Sequence, residues 1–587
     1  MLEAINLSHQ TTRHGAEPLV LLDGIHFLAP GGHFLAIVGS AGSGKTTLLQ
    51  TLGGLSRVQS GAILWHGRDI AQNWLLPNEL GWVTTDESVM QPLMSAKENL
   101  VCALLLAVGG ITQRDALLRA EKLLTLCGLE QAGAQRVATL SRVQRRRLAL
   151  ALALAADPPL ILIDEFTDGL DPKGEQEMLT LLQLVAKSSP HHLVIHATSD
   201  LSHLPSYDSV VVLHEGRVCF HGPGRALTHY FSIANTDELY VRLAKRPSQR
   251  WMDSWNKHRD SYYDAFKLAT GGTAADGKLA AADEEDKPVA GRLSFREPKA
   301  AAVVERPAPP APAERPTFGT QVQVLMLRRW TLFRRAKTQL WRYMGLLLGL
   351  PLIALVFFWP ALDEMRALHK DASAVPPATQ TYLAAFASGF LMLQVLMVLI
   401  MAVRNGANEI ANERTLWNRE HRAGLRSSAY VTSKLCFVLP LILMQSAWLG
   451  LFVDMTTGGL PGHSGSRLLL LMLTSAAFTT LSLGMSALSR NPDRASARAW
   501  MLAFAQVPLS GALLAMPSGM TTLVQPLVTA FYAWSGSLST LTGTPLSAPI
   551  TMLNPTWLAT PGIAIFMLLA HFFVGLGLTI YGVRRSR

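Results

Sequence analysis

The chain has 587 residues, 49% of them apolar and only 16% charged, with a formal net charge of +10. That length excludes a single hydrophobic core and requires at least two domains, and so low a charge fraction excludes an ordinary soluble chain. Much of the positive charge falls in short clusters beside apolar segments, as at Arg328, Arg329, Arg334 and Arg335, which fits the cytoplasmic face of a membrane and argues against a nucleic-acid partner.

Residues 1–12 mix polar and apolar side chains without a basic start or an apolar run, so no signal peptide is expected and the amino terminus stays in the cytosol. From there to about residue 268, β-rich runs alternate with helical patterns, which predicts a wound α/β domain. The runs 33–38, 160–163 and 193–195 are continuous and apolar, as buried parallel strands are, and 114–126 and 146–156 carry helical periodicity. The four cysteines, Cys102, Cys127, Cys219 and Cys436, lack metal-ligand spacing and read as buried thiols. Residues 269–316 turn to Ala, Pro, Gly and charge and read as a disordered, partly extended linker.

Beyond residue 318 the apolar runs reach the roughly 20 residues that a helix needs to cross a bilayer. Six are expected: 341–361, 380–403, 430–453, 467–489, 498–517 and 561–583. Arg404, Arg414, Arg419, Arg422 and Arg426 lie between spans two and three, and Arg490, Arg494 and Arg498 between four and five, whereas residues 517–561 hold no charged side chain. By the positive-inside rule both termini are cytosolic and the long loop lies outside.

Two motifs carry chemistry. Gly39-Ser40-Ala41-Gly42-Ser43-Gly44-Lys45-Thr46, followed by Thr47, is a Walker A loop between a strand and a helix. Its glycines let backbone amides point at phosphate oxygens, Lys45 reaches the outer phosphates, and the Thr46 hydroxyl can ligate Mg²⁺. The apolar run 160–163 ends in Asp164, a second Mg²⁺ ligand, and Glu165, which can polarise an attacking water. ATP and Mg²⁺ are therefore expected.

Walker A, Leu140-Ser141, Asp164-Glu165 and Gly169-Leu170-Asp171 together resemble an ABC transporter ATPase. An ATPase placed ahead of the membrane spans is similar to subfamily G, the reverse-order half-transporters, as are Leu213-His214-Glu215-Gly216-Arg217 and the pair Tyr230-Phe231. The resemblance implies an α/β P-loop ATPase domain at 1–245, an extension and linker at 246–316, an amphipathic connecting helix at 317–340, and an all-α six-span membrane domain at 341–587 with an outer loop at 518–560. It also implies a coupling region around Arg414, Glu420 and Arg422, with Asn412, Glu413, Gly424, Tyr430 and Lys434 nearby. The cysteine-free outer loop points to a bacterial inner-membrane relative.

Several positions depart from the family pattern. The signature reads Leu140-Ser141-Arg142-Val143-Gln144 where Leu-Ser-Gly-Gly-Gln is expected, so a β-branched side chain occupies a place of close backbone approach, and Arg142 brings a charge that could face phosphate. Thr85 (or Asp86) replaces the Q-loop glutamine, Ser199 the switch histidine, and Asp168 the D-loop serine. His196 and His203 lie out of register and read as structural. Because the family's sites are shared across a dimer, the expected partner is a second half-transporter, a different chain being favoured over a second copy.

The resemblance implies outward transport of a hydrophobic, lipid-like substrate from among membrane lipids through a cavity between two membrane domains. Phe390, Gln394, Gln506 and Pro508 are candidate cavity residues, with interhelical hydrogen bonding an equal reading for the two glutamines. Phe531, Tyr532, Trp534 and Trp557 read as packing and interface anchors. Two rival functions remain: a nucleotide-binding regulatory subunit that hydrolyses little, and a membrane mechanotransmitter.

Overall fold

The computed structural model describes residues 1–585 apart from 12–18, 57, 71–74, 76–77, 85, 267–313, 372, 374, 514–518, 520–522 and 555–556. Thr85 and nearly all of the expected linker lie outside the described residues. Two compact units are present, Met1–Pro316 with Arg422–Gly424, and Thr317–His421 with Leu425–Arg587.

In the first unit a four-stranded antiparallel sheet, in the order β2-β1-β4-β5, joins β1 (Leu2–Thr11), β2 (Leu19–Ala29), β4 (Ser60–Trp65) and β5 (Arg68–Asp69). A six-stranded sheet runs β10-β9-β3-β8-β7-β6, formed by β3 (His33–Val38), β6 (Leu80–Val83), β7 (Leu160–Asp164), β8 (Leu193–Thr198), β9 (Ser209–His214) and β10 (Arg217–Gly222). All neighbours in it are parallel except β9 and β10. Every residue of β3 and β8 is buried, which is why those segments are continuous apolar runs. Register aligns Val38 with Thr198 and Asp164 with Ala197, so the carboxyl ends of β3, β8 and β7 lie side by side. In open α/β sheets that edge is where ligands bind.

Helices α1 (Lys45–Leu52), α2 (Ala96–Ala107), α3 (Gln113–Leu126), α4 (Arg142–Ala153), α5 (Pro172–Lys187), α6 (Leu227–Phe231), α7 (Leu239–Leu243) and α8 (Ser248–Phe266) complete the unit. The last is a full helix inside the stretch grouped with the linker from sequence. Trp251, Trp255 and Tyr262 on α8 are buried, and Phe220 packs against Trp255 at 5.4 Å between ring centroids. Cys127 and Cys219 are buried, as expected of free thiols, but Cys102 is half-buried and Cys436 exposed, because Cys436 lies on an outward face of a long apolar helix.

Three histidines are buried and held neutral. Burial lowers His196 to about 4 and His221 to about 3, and it also lowers His33, with Asp208 opposing. His33 Nε2 meets Ser209 Oγ at 2.8 Å, His196 Nδ1 meets the Tyr207 hydroxyl at 2.8 Å, and His221 Nδ1 meets the Tyr263 hydroxyl at 2.9 Å. The unfolded chain takes up these protons below 6.5, whereas the fold refuses them until about 4. Stability is therefore expected to fall as pH drops between those values, by on the order of 2 kcal/mol per histidine at about pH 5. Hydrogen exchange across β8 to β10 in the full chain should accelerate from pH 7 to pH 5, after correction for intrinsic rates. An unchanged exchange free energy would contradict this.

The second unit is helical. Among the described residues, five segments are long and apolar enough to cross a membrane: Lys337–Lys370, Pro377–Arg422, Ser427–Thr457, Ser464–Leu488 and Pro561–Arg585. The remaining expected span, 498–517, is described as far as residue 513 and falls on helix Pro492–Leu509. An amphipathic helix, Phe318–Arg335, comes first and stops at Ala336, where ψ of 74° leaves the helical range. Arg328 and Arg329 are drawn inside the unit by carboxylates. Arg328 pairs with Glu420 through both terminal nitrogens, one at 3.1 Å, and Arg329 pairs with Glu409 at 2.7 Å.

Candidate nucleotide site

The phosphate loop leaves β3 at Gly39 and enters α1 at Lys45. Its last glycine, Gly44, has φ of +100°, and a Cβ there would lie 2.9 Å from the Leu21 carbonyl oxygen, so the loop needs glycine on both counts. Lys45 is 4% exposed and donates to the carbonyls of Gly39 at 2.9 Å and Ser40 at 3.1 Å, so the loop closes around its ammonium. Burial lowers its pKa, while Glu165, Asp164 and Asp168 oppose that. Ala41 and Gly42 are exposed at the loop tip, Ser43 Oγ is buried without a hydrogen-bond partner, and Thr47 gives its carbonyl to the Thr51 hydroxyl.

Asp164 ends β7 beside this loop, where the Thr46 hydroxyl donates to its carboxylate at 3.1 Å. Burial raises the Asp164 pKa, and the Thr46 hydrogen bond pulls it back. The two expected metal ligands are thus adjacent, and both are hard oxygen donors of the kind Mg²⁺ takes. Together with the buried lysine and the orphaned Ser43 hydroxyl, the donor set fits a phosphate chain with its cation. Glu165 follows at φ +46°, a rare conformation for a residue with a side chain, held by its amide on the Ala197 carbonyl at 2.9 Å. Its carboxylate is 4.0 Å from the Lys45 ammonium.

The altered signature still builds a helix start. Ser141 and Gln144 form a reciprocal capping box at the head of α4, and Val143 packs on the domain core. Arg142 is not left pointing at open space for phosphate, because its guanidinium donates to the carbonyl of Gly169 at 3.0 Å and of Asp168 at 3.4 Å in the same chain. Leu170 closes the D-loop turn on Thr167, and Asp171 occupies the N-cap position of α5 without a side-chain capping bond. Asp86, the alternative Q-loop position, caps the short turn Glu87–Val89. Ser199 follows β8 next to the site, His196 is wholly inside the sheet, and His203 lies near Glu175, 3.9 Å away.

Motif reading missed Tyr240, Thr167 and Glu175. Tyr240 donates to the Ser199 carbonyl at 2.7 Å, and Glu175, raised by burial and by Asp200, is hydrogen-bonded to Asp200 and Thr167. None of the three sits within a recognised pattern, and the only sequence signal was proximity of Thr167 and Glu175 to the D-loop.

In the second unit Arg414 donates to the carbonyls of Ala487 at 2.6 Å and Ser489 at 2.9 Å, and Glu420 is 3% exposed. Arg422 groups with the first unit. Phe390 is buried in an aromatic cluster with Phe358 and Phe386, at 5.0 and 5.8 Å, and Gln394 is buried. Gln506 accepts a hydrogen bond from the Ala530 amide at 3.1 Å, an interhelical contact of the kind expected as the alternative reading. Pro508 is inside helix Pro492–Leu509, Trp534 donates to the Ser388 carbonyl at 3.2 Å, Phe531 and Tyr532 are buried, and Trp557 is exposed.

A phosphate-binding loop, the paired Thr46 and Asp164 oxygens and a carboxylate at the carboxyl edge of a parallel sheet define a P-loop ATPase, here joined to a helical membrane unit. Residues 22–168 match the ABC transporter family and residues 320–538 the ABC-2 type transporter family. The lipoprotein-releasing system ATP-binding protein LolD of Chromohalobacter salexigens is 34% identical over 212 residues, 35% of this chain and 88% of LolD. The ABC transporter ATP-binding/permease protein Rv1747 of Mycobacterium tuberculosis is 23% identical over 553 residues, which is 92% of this chain and 58% of Rv1747's length. Among solved structures, the cassette MJ0796 bound to ADP and Pi is 26% identical and covers 38% of this chain and 99% of its own, with a TM-score of 0.35. The chain belongs to the ABC transporter family, as an integral membrane protein with an ABC ATPase domain ahead of an ABC-2 type membrane domain, the order of subfamily G.

Proposed function

We propose that this chain is one half of an ATP-driven exporter that moves a hydrophobic, lipid-like molecule outward across the inner membrane, with both termini in the cytosol. The observation that carries the reading is the Lys45, Thr46, Asp164 and Glu165 cluster in a chain whose second unit has five membrane-length helices. Lys45 and the loop amides would hold the phosphates, and Thr46 and Asp164 would hold Mg²⁺, which neutralises charge on the transferring phosphoryl group. Glu165 would orient the attacking water and take its proton.

The chain works as a dimer, with a different half-transporter as the favoured partner. Arg142 bound to its own D-loop and Val143 in place of glycine weaken what this chain can offer a second site, so two copies would leave both sites impaired. The same contact and Ser199 support the alternative reading, a regulatory subunit that binds ATP and turns it over slowly. Purification of the full chain with its native partner should yield a mixed pair with faster turnover than the chain alone. A stable pair of identical chains with robust turnover would contradict the mixed dimer.

A further inference from the structure

Tyr240 lies on α7, far along the chain from every nucleotide motif, yet its hydroxyl enters the site. Its hydroxyl donates to the Ser199 carbonyl at 2.7 Å, and the hydroxyl oxygen accepts from the backbone amide of Gly39, the first residue of the phosphate loop. Burial pushes the phenol well above its ordinary pKa of 10, so the group stays neutral and both donates and accepts. On its other side the switch segment is tied to α5, because Asp200 bonds to Glu175, which in turn bonds to Thr167. The segment therefore has no histidine at the switch position, but its backbone is fastened between the phosphate loop and the helix that follows the D-loop. From Tyr240 the connection continues outward. Leu239 and Leu243 of α7 are buried, and the Leu243 carbonyl accepts from the Trp251 indole of α8 at 3.1 Å.

We propose that Tyr240 is a positioning residue for ATP turnover, whose hydroxyl holds the switch segment in register with the phosphate loop and carries the filling of that loop into α7 and α8. This rests on the reading of the site as an ATPase. A phosphate drawn against the Gly39 end of the loop moves the Gly39 amide, and with it the Tyr240 hydroxyl that holds the Ser199 carbonyl. The tyrosine is the only bridge between these two backbones and α7 among the hydrogen bonds described at the site, so removing one oxygen atom should break it.

The test compares wild type with Tyr240→Phe as full-length chains in detergent, using ATP·Mg as the probe and hydrogen exchange of residues 239–266 as the readout. Wild type should exchange more slowly in that segment once ATP·Mg is bound. Tyr240→Phe should bind ATP·Mg about as tightly, lose the nucleotide-dependent slowing, and turn over about tenfold more slowly with little change in KM, as loss of one well-placed hydrogen bond implies. Ser199→His added to Tyr240→Phe, which installs the side chain the family uses there, should recover turnover. Slowing that persists in Tyr240→Phe, an unchanged kcat, or a folded double variant without recovery would overturn the proposal. Should Tyr240→Phe fail to fold, wild type decides the matter alone, because bound ATP·Mg without slowing in 239–266 is enough to overturn it. A wild type that binds no ATP·Mg overturns the ATPase reading itself.

Discussion

A Glu165→Gln chain is expected to keep ATP·Mg bound and to turn it over at least about 100-fold more slowly than wild type, the scale on which a positioned general base acts. The substitution preserves size but removes the negative charge and with it the capacity to accept a proton. The surroundings should hold, because the strained backbone at Glu165 is fixed by its amide on Ala197 and by the buried Phe166 that follows, not by the carboxylate. Binding should persist because the loop around Lys45 would hold the phosphates, and Thr46 and Asp164 the metal. Phosphate release and nucleotide retention, measured on the same preparation, check both halves. A glutamine variant that releases phosphate at the wild-type rate would remove Glu165 from the chemistry.

Glu420→Ala is expected to destabilise the second unit by about 3–5 kcal/mol, the cost of removing one partner of a buried ion pair. Arg328 is 6% exposed and Glu420 3%, and the guanidinium and carboxylate face one another through two hydrogen bonds across 92 residues of chain. Arg329, Lys434, Glu409 and Glu413 form an adjoining set of buried ion pairs, with Lys434 Nζ 3.0 Å from Glu409 and 2.7 Å from Glu413, so the damage should spread along the amphipathic helix. Thermal unfolding in detergent measures the loss. In the exporter reading this segment transmits closure of the ATPase, and the milder Glu420→Gln should hydrolyse ATP while transport fails. Unchanged stability in the alanine variant would contradict the burial argument, and unchanged transport in the glutamine variant would contradict transmission.

The strands that frame the site were legible because burial on both faces forces continuous apolar runs, as in 33–38 and 160–163. The phosphate loop was legible because its chemistry needs glycines at set positions. Contacts between distant residues were not. Nothing near Arg142 announces that its guanidinium meets Gly169, and nothing near Arg328 points to Glu420, since periodicity reports which face is apolar and not which charge lies opposite. Helix α8 mixes Trp251, Trp255 and Tyr262 with seven charged or histidine residues, which hid its buried stripe beside a composition-biased stretch. Gln506 illustrates the same limit, because a polar residue in an apolar span signals a partner without saying whether that partner is a ligand or the Ala530 amide.

Nucleotide held by the loop around Lys45 drives a unit embedded in the bilayer. Equilibrium binding of ATP to the purified full-length chain in lipid nanodiscs, with and without Mg²⁺, tests it most directly. One nucleotide per chain, bound more tightly with the metal present, is the expected result, and a chain that stays folded in lipid yet binds none would contradict it.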